Sequence, residues 1–382
     1  MSRDHLSRDT KNILFITGTR ADYGKLKSVI RAVERSDDFD YTIFATGMHL
    51  LEKYGTTWKE IDKDGFSNVF LYFNQDHFTD SMMDRVLADT IKGISHYVAE
   101  HHVDLIVVHG DRVEALAGAI VGSLNGILVG HIEGGELSGT VDELMRHTIT
   151  KMSHLHFVSN VEASDRVVGM GEYASKVHVI GSPNIDIMLS PDLPPIDEVR
   201  RHYELPEGEY ALVAVHPVVG VSDELHADMA ELLSAMSVSG RHFVVLYPNN
   251  DPGSGEILRA ITEVAHDPAF RVLPSMKFES YLTALRHAAV LVGNSSSGIH
   301  EAPVYGVPTV NIGSRQRNRF DHPSIEHVAF DADAVMKALD QAWGTRFEPT
   351  MHFGSGTSAE SFLAVLRRPE TWTTAVLKQF SD

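Results

Sequence analysis

Three acidic residues and one serine-rich turn hold most of the chemistry this sequence offers. Asp111 follows the apolar run Leu105–His109, within His109-Gly110-Asp111-Arg112. Glu133 follows the run Ile127–Ile132, within His131-Ile132-Glu133-Gly134-Gly135-Glu136, and Asp142 lies just beyond it, ahead of Arg146-His147. Carboxylates packed together raise one another's pKa, so that one acts as an acid while another acts as a base. Such a set suits removal of a proton from carbon and protonation of a leaving group. Further on, Gly293-Asn294-Ser295-Ser296-Ser297-Gly298 leads from an apolar run toward a helix start. Backbone N–H groups and hydroxyls at such a turn cradle a phosphate without a lysine. Glu301 follows with the paired acceptor oxygens that suit two ribose hydroxyls. Arg315 opens the cluster Arg315-Gln316-Arg317-Asn318-Arg319, and Arg20 stands in Thr17-Gly18-Thr19-Arg20, each a candidate fork for phosphate. His216 and Asn249 directly follow the apolar runs Tyr210–Val215 and Phe243–Tyr247, the second within Pro248-Asn249-Asn250-Asp251. The helix that follows Gly18 offers free N–H groups to the same anion. Plainer readings stand beside these: Asp111 as half of a structural salt bridge, and the Arg20 turn as a capped loop with an exposed arginine.

These residues share one property, which is that each follows a short apolar run rich in β-branched side chains. In an open α/β sheet, ligands bind beyond the carboxyl ends of the strands. The expected strands of the first half are Asn12–Gly18, Tyr41–Thr46, Leu105–His109, Ile127–Ile132, Leu155–Val158 and Val177–Ile180. Helices over Tyr23–Ser36, Val86–Glu100 and Val113–Leu124 alternate with them, the pattern of βαβ units. Ser190–Asp197 reads SPDLPPID, an extended linker by its prolines. A second series follows, with strands at Tyr210–Val215, Phe243–Tyr247, Phe270–Leu273, Val290–Gly293 and Thr309–Ile312. The fold expected is therefore α/β, two doubly wound Rossmann-like domains with a cleft between them. The first spans residues 11–189 and carries the carboxylates, and the second spans 190–369. Residues 370–382 are expected as a helix, Glu370–Phe380, that packs back on the first domain.

Composition narrows the chemistry further. The chain has 382 residues, 43% hydrophobic and 22% charged, as in ordinary globular proteins. Its net charge of −19 repels polyanions, so nucleic-acid binding is not expected, and an anionic ligand needs a local basic pocket. The absence of cysteine removes disulfides, zinc–thiolate sites and a cysteine nucleophile. The polar start MSRDHLSRDTKN and the lack of a long apolar run argue for a cytoplasmic chain without a membrane partner. Neither a Walker loop nor GxGxxG is present, and His101-His102 and His154-x-His156 lack the spacing of metal ligands, so no metal is expected.

The motifs TGTRADYGKLK, ATGMHL, HGDRVEALAGA, HIEGGELSGTVDE, HTITKMSHLHF, GSPNID, YPNND and GNSSSGIHEAPVYGVPTVNIGSRQ run from Asn12 almost to Trp372. As a set they resemble the hydrolysing UDP-N-acetylglucosamine 2-epimerases of bacterial sialic-acid and legionaminic-acid biosynthesis. The resemblance implies a glycosyltransferase-B-like fold, a UDP-sugar substrate, no cofactor, and a homo-oligomer, by analogy a dimer. It implies departure of the C2 proton and of UDP to give a 2-acetamidoglucal, followed by addition of water. It further implies that Asp111, Glu133 and Asp142 are the catalytic carboxylates. Arg20, Arg112, His216, Asn249, Ser295, Ser296, Glu301 and Arg315 fall on substrate- or UDP-contacting positions. In one departure, His300 stands in GIHEAP where sialic-pathway members often read GIREAP. In addition, Tyr41–Gln75 looks more like the legionaminic-pathway relatives, which act on a 2,4-diacetamido-6-deoxy sugar nucleotide.

Overall fold

Runs of Ile, Val and Phe closed by glycine fold here as parallel strands buried on both faces. The computed structural model describes residues 10–74, 82–138, 141–218, 225–249 and 253–381. By its packing the chain forms two units. One comprises the residues up to Glu136, Asp142–Leu189 and His352 onward, and the other comprises Ser190–Met351 with Leu137–Val141.

The first unit has seven strands, β1 (Lys11–Thr17), β2 (Phe39–Ala45), β3 (Val69–Leu71), β4 (Leu105–His109), β5 (Leu128–Ile132), β6 (Leu155–Val158) and β7 (Val177–Val179). They lie in the order β3-β2-β1-β4-β5-β6-β7, all in parallel. Between them run α1 (Arg20–Glu34), α2 (Trp58–Lys63), α3 (Met83–Glu100), α4 (Val113–Leu124), α5 (Val141–Met152), α6 (Val161–Gly169) and α7 (Pro183–Met188). Successive side chains of a strand point to opposite faces. Ile13 and Phe15 accordingly join one core with Leu26 and Val29, while Leu14 and Ile16 join another with Ile94, Ala117 and Val121. The strand order reverses between β1 and β4, the switch point at which such sheets take ligands.

The second unit has six parallel strands, β8 (Tyr210–Ala214), β9 (His242–Leu246), β10 (Phe270–Leu273), β11 (Val290–Gly293), β12 (Thr309–Ile312) and β13 (Ile325–Val328). Their order is β10-β9-β8-β11-β12-β13. Its helices are α8 (Ile196–Tyr203), α9 (Leu225–Ser237), α10 (Ser254–Glu263), α11 (Phe278–His287), the single turn α12 (Ser297–His300) and α13 (Ala332–Ala342). At the end of β11 only glycine fits, because Gly293 has φ +140° and a Cβ there would lie 2.0 Å from the Ala214 carbonyl oxygen. Among the described residues no helix is long and apolar enough to cross a membrane.

Two expectations change. The sequence pattern keeps 190–369 together, whereas the chain rejoins the first unit from His352. There α14 (Ser358–Leu366) packs on α1, the Phe362 ring lies 4.6 Å from that of Phe157, and Ser358 N and Ala359 N donate to the Asp186 carboxylate. The expected helix Glu370–Phe380 shrinks to the one turn α15 (Pro369–Trp372). Beyond it the chain is held by long-range hydrogen bonds instead: Lys378 Nζ donates to the carbonyls of Thr150 (3.0 Å) and Lys151 (2.9 Å) at the end of α5, and Ser381 N donates to Gly171 O (2.9 Å). The segment packs on the first unit as expected, but not as a helix. The short strands β3 and β13 are additions that the sequence pattern does not predict.

Candidate active site

Each strand of the first sheet delivers a loop to its carboxyl end, and the loops carry the polar groups. After β1, Thr19 caps α1 and Asp22 reciprocates, which forms a capping box. The Asp22 carboxylate also accepts from Gly18 N (3.0 Å), Thr19 N (2.9 Å) and Thr17 Oγ1 (2.7 Å). The N–H donors expected to meet an anion are thus turned onto Asp22. Arg20, the candidate phosphate fork, forms an ion pair with Glu60 of α2.

After β4 the chain turns at Gly110, and His131 of β5 holds the turn. Its Nε2 lies 2.8 Å from Gly110 O and its Nδ1 lies 3.1 Å from Thr150 Oγ1. A ring facing a carbonyl through Nε2 carries its proton there and accepts the threonine hydroxyl at Nδ1. Burial, the dominant cause, pushes the pKa of His131 down to about 3, so the ring is neutral. Asp111, just beyond the turn, pairs with Arg146 of α5, whose Nη1 also donates to Glu136 O (3.1 Å). Arg146 is buried, whereas the Asp111 side chain keeps 26% of its surface exposed. Asp142 lies in the first turn of the same helix, half-buried, four residues before Arg146 and therefore on the same face.

Glu133 follows β5 with φ +60°, the left-handed region that costs a non-glycine residue about 1–2 kcal/mol. Such strain persists where the surroundings over-determine it, and here they do. Ser182 Oγ donates to Oε1, while His109 Nε2 lies 3.1 Å and Lys25 Nζ 3.9 Å from Oε2. Asp111 thus faces a guanidinium, and Glu133 faces an ammonium, a hydroxyl and an imidazole, so each negative charge meets donors. Mutual repulsion among carboxylates, the expectation from sequence, is not what sets these contacts. Lys25, Arg146 and Ser182 are site residues that the sequence does not nominate. Of the three, only Arg146 leaves a sequence signal, its helical spacing from Asp142.

In the second unit Asn294 ties three strand ends together. Its side chain accepts from His216 N (2.7 Å) and donates to His216 O (2.8 Å), while its carbonyl accepts from Arg315 Nη1 (3.3 Å) and Gln316 Nε2 (3.0 Å). His216 Nδ1 accepts from Asn249 N (3.1 Å). His216, Asn249, Asn294 and Arg315 thus form one bonded set at the carboxyl ends of β8, β9, β11 and β12. Ser295 and Ser296 lie on the turn into α12, where Ser297 N donates to Ser295 Oγ (3.3 Å). Glu301 is buried next to them. Together with burial, its charge helps hold the Tyr281 phenol above its ordinary pKa. At the GIHEAP departure, His300 Nε2 accepts from Arg319 Nη2 (3.1 Å), so a permanent cation reaches this position from the following loop. Asn250 and Asp251 lie outside the described residues.

A family model described as UDP-N-acetylglucosamine 2-epimerase matches residues 31–367. The chain belongs to this family. A UDP-N-acetylglucosamine 2-epimerase of Neisseria meningitidis serogroup B is 43% identical over 97% of this chain and 99% of its own. The UDP-N,N'-diacetylbacillosamine 2-epimerase (hydrolyzing) of Legionella pneumophila is 32% identical, covering 94% and 96%. Polysialic acid biosynthesis protein P7 of Escherichia coli is 31% identical, covering 88% and 87%. Among solved structures, the Methanocaldococcus jannaschii UDP-GlcNAc 2-epimerase, in complex with UDP-GlcNAc and UDP, shares the fold. Its TM-score is 0.81 at 19% identity, over 93% of this chain and 99% of that one. The expected family and the two-domain α/β fold class both stand. Within this 2-epimerase fold, the strand-end rule finds Asp111 and Glu133 at β4 and β5 of the first unit, and the asparagine-centred set in the second.

Proposed function

We propose that this family member is a hydrolysing 2-epimerase, which converts UDP-N-acetylglucosamine into N-acetylmannosamine and UDP. The observation that carries the reading is the pair of carboxylates at adjacent strand ends, Asp111 and Glu133, each next to a cation that compensates its charge. Relatives at 32% and 28% identity whose names include "hydrolyzing" support the subtype. In the proposed reaction a carboxylate takes the C2 proton while the C1–O bond to UDP breaks, leaving a C1=C2 double bond, the 2-acetamidoglucal. Water then gives its hydroxyl to C1, and a proton is delivered to C2 from the opposite face. Asp111, Glu133 and Asp142 share these proton transfers, which need no redox or covalent chemistry. Departure of a diphosphate calls for cations and N–H dipoles, the role given to Arg315 and the Ser295–Ser296 turn with His216 and Asn249. Glu301 accepts the ribose hydroxyls, and Arg20 and Arg112 hold the sugar nucleotide from the first unit.

A proton NMR time course in heavy water tests this. Free N-acetylmannosamine deuterated at C2, together with UDP, is the expected outcome. UDP-N-acetylmannosamine with the nucleotide still attached would make the enzyme non-hydrolysing. The same run with UDP-2,4-diacetamido-2,4,6-trideoxyglucose tests the second reading, which the Legionella relative supports. Faster turnover of that sugar would move the substrate assignment and keep the chemistry.

A further inference from the structure

The geometry points to Glu114 as a positioning residue that fixes the Arg112 guanidinium for the substrate, an inference that rests on the proposed role of Arg112. Glu114 sits in the first turn of α4, two residues after Arg112, and is 1% exposed. Its carboxylate lies against two loops. A Cβ on Gly18 would fall 2.5 Å from its Cδ, and one on Gly47 would fall 2.5 Å from its Oε1. Gly18 follows β1 and Gly47 follows β2, so this carboxylate is buried beside the switch point.

Burying a carboxylate costs several kcal/mol unless it is paired and its lone pairs are satisfied. A negative charge at a helix N-terminus recovers up to about 1 kcal/mol of that, and it does so without burial. The nearby backbone donors are already committed, Gly18 N to Asp22 Oδ2 (3.0 Å) and Gly47 N to Asn74 Oδ1 (3.0 Å). What Glu114 does bind is Arg112, whose Nε lies 3.3 Å from Oε2, while Oε1 is buried without a hydrogen-bond partner. A guanidinium gripped at Nε has its plane and the direction of its fork set before ligand arrives, which lowers the ordering cost of binding an anion. Both glycines then have a function, since a side chain at either one would displace the carboxylate.

Calorimetry with UDP-N-acetylglucosamine and steady-state kinetics test this on the full chain. Glu114→Ala is expected to weaken binding about 10-fold, the scale of a hydrogen bond to a charged group. The loss should appear mainly in KM, and Glu114→Gln, which retains an acceptor for Nε, should recover part of it. Arg112→Ala combined with Glu114→Ala should bind no worse than Arg112→Ala alone. Additive losses, or a folded Glu114→Ala with unchanged affinity, would overturn the proposal. If Glu114→Ala does not fold, Gly18→Ala replaces it: its backbone accepts alanine, its Cβ drives the carboxylate away, and unchanged affinity would again refute the idea. Unchanged affinity in Arg112→Ala would remove Arg112 from the site and this proposal with it. The expected binding losses in a chain that shows no turnover would instead refute the reaction assigned above and leave the role of Glu114 standing.

Discussion

Acidification should unfold the first unit well before its carboxylates are protonated, because two histidines inside it are held neutral. His49 is fully buried between Thr17 Oγ1 (3.0 Å from Nε2) and Thr57 Oγ1 (2.8 Å from Nδ1), and burial lowers its pKa to about 4. His131, gripped by Gly110 and Thr150, is lowered to about 3. Both titrate near 6.5 when unfolded, so the unfolded chain takes up protons that the folded chain refuses. Their contribution is therefore complete above about pH 6.5 and is lost as pH falls toward about 4. At about pH 4.5 the deficit is nearly two units for each ring, about 5 kcal/mol for the two together. That is the scale of a domain's entire stability, about 5–15 kcal/mol. Glu172 adds little in this window, because its carboxyl is held at about 2, in part by His156 and Lys151, and its stabilisation disappears only between 4.5 and 2. His178, lowered to about 4 by burial, acts in the same direction as the other two. Urea unfolding followed by Trp58 and Trp372, with Trp343→Phe to silence the second unit, measures the slope between about pH 7.5 and 4.5. His49→Asn should remove about half of the His49–His131 share of it. A loss under about 1 kcal/mol across that range, or a full slope in His49→Asn with His131→Asn, would refute the reasoning.

Other outcomes can be checked independently. Asp111→Asn and Glu133→Gln should each lower turnover at least about 100-fold, a general acid–base contribution, with little change in UDP affinity by calorimetry. A near-normal rate would remove that residue from the proton transfers. Arg315→Ala should weaken UDP binding about 10-fold or more, since it deletes a charged donor bonded to the Asn294 carbonyl; unchanged affinity would exclude it from the phosphate site. Gly293→Ala should lower Tm sharply, because its Cβ would clash with Ala214 O across β8 and β11. Lys378→Met should destabilise by about 1.5–3 kcal/mol in urea unfolding, the scale of hydrogen bonds to a charged group, since Nζ loses Glu172 Oε2 (2.7 Å) and two carbonyls of α5 while Lys151 still faces Glu172.

Elements whose cause is local are legible in the sequence, and those whose cause is distant are not. The runs LIVVH and VLVG are apolar throughout because helices cover both faces of the sheet, and this is visible in the residues themselves. Strands β3 and β13 lie at the edges of their sheets and are only partly buried, so burial on both faces does not mark them. No proline-rich stretch like 190–197 marks the return at His352, and the apolar face of α14 does not announce that Phe362 will meet Phe157 rather than a core of the second unit. The same division runs through the site. Asp111 and Glu133 are found because position after a strand is a local property. Their partners Arg146 and Ser182 lie 35 and 49 residues away, and no spacing rule connects them. Arg20 meets the same limit, since the sequence offers a cation beside a glycine turn but says nothing of Glu60 across the loop. Strand-end position therefore nominates reactive groups, while the partners that set their charge come only with the fold. That is why Glu133 can hold a left-handed backbone conformation, and why its role is better tested through Lys25 and Ser182 than through its neighbours in the chain.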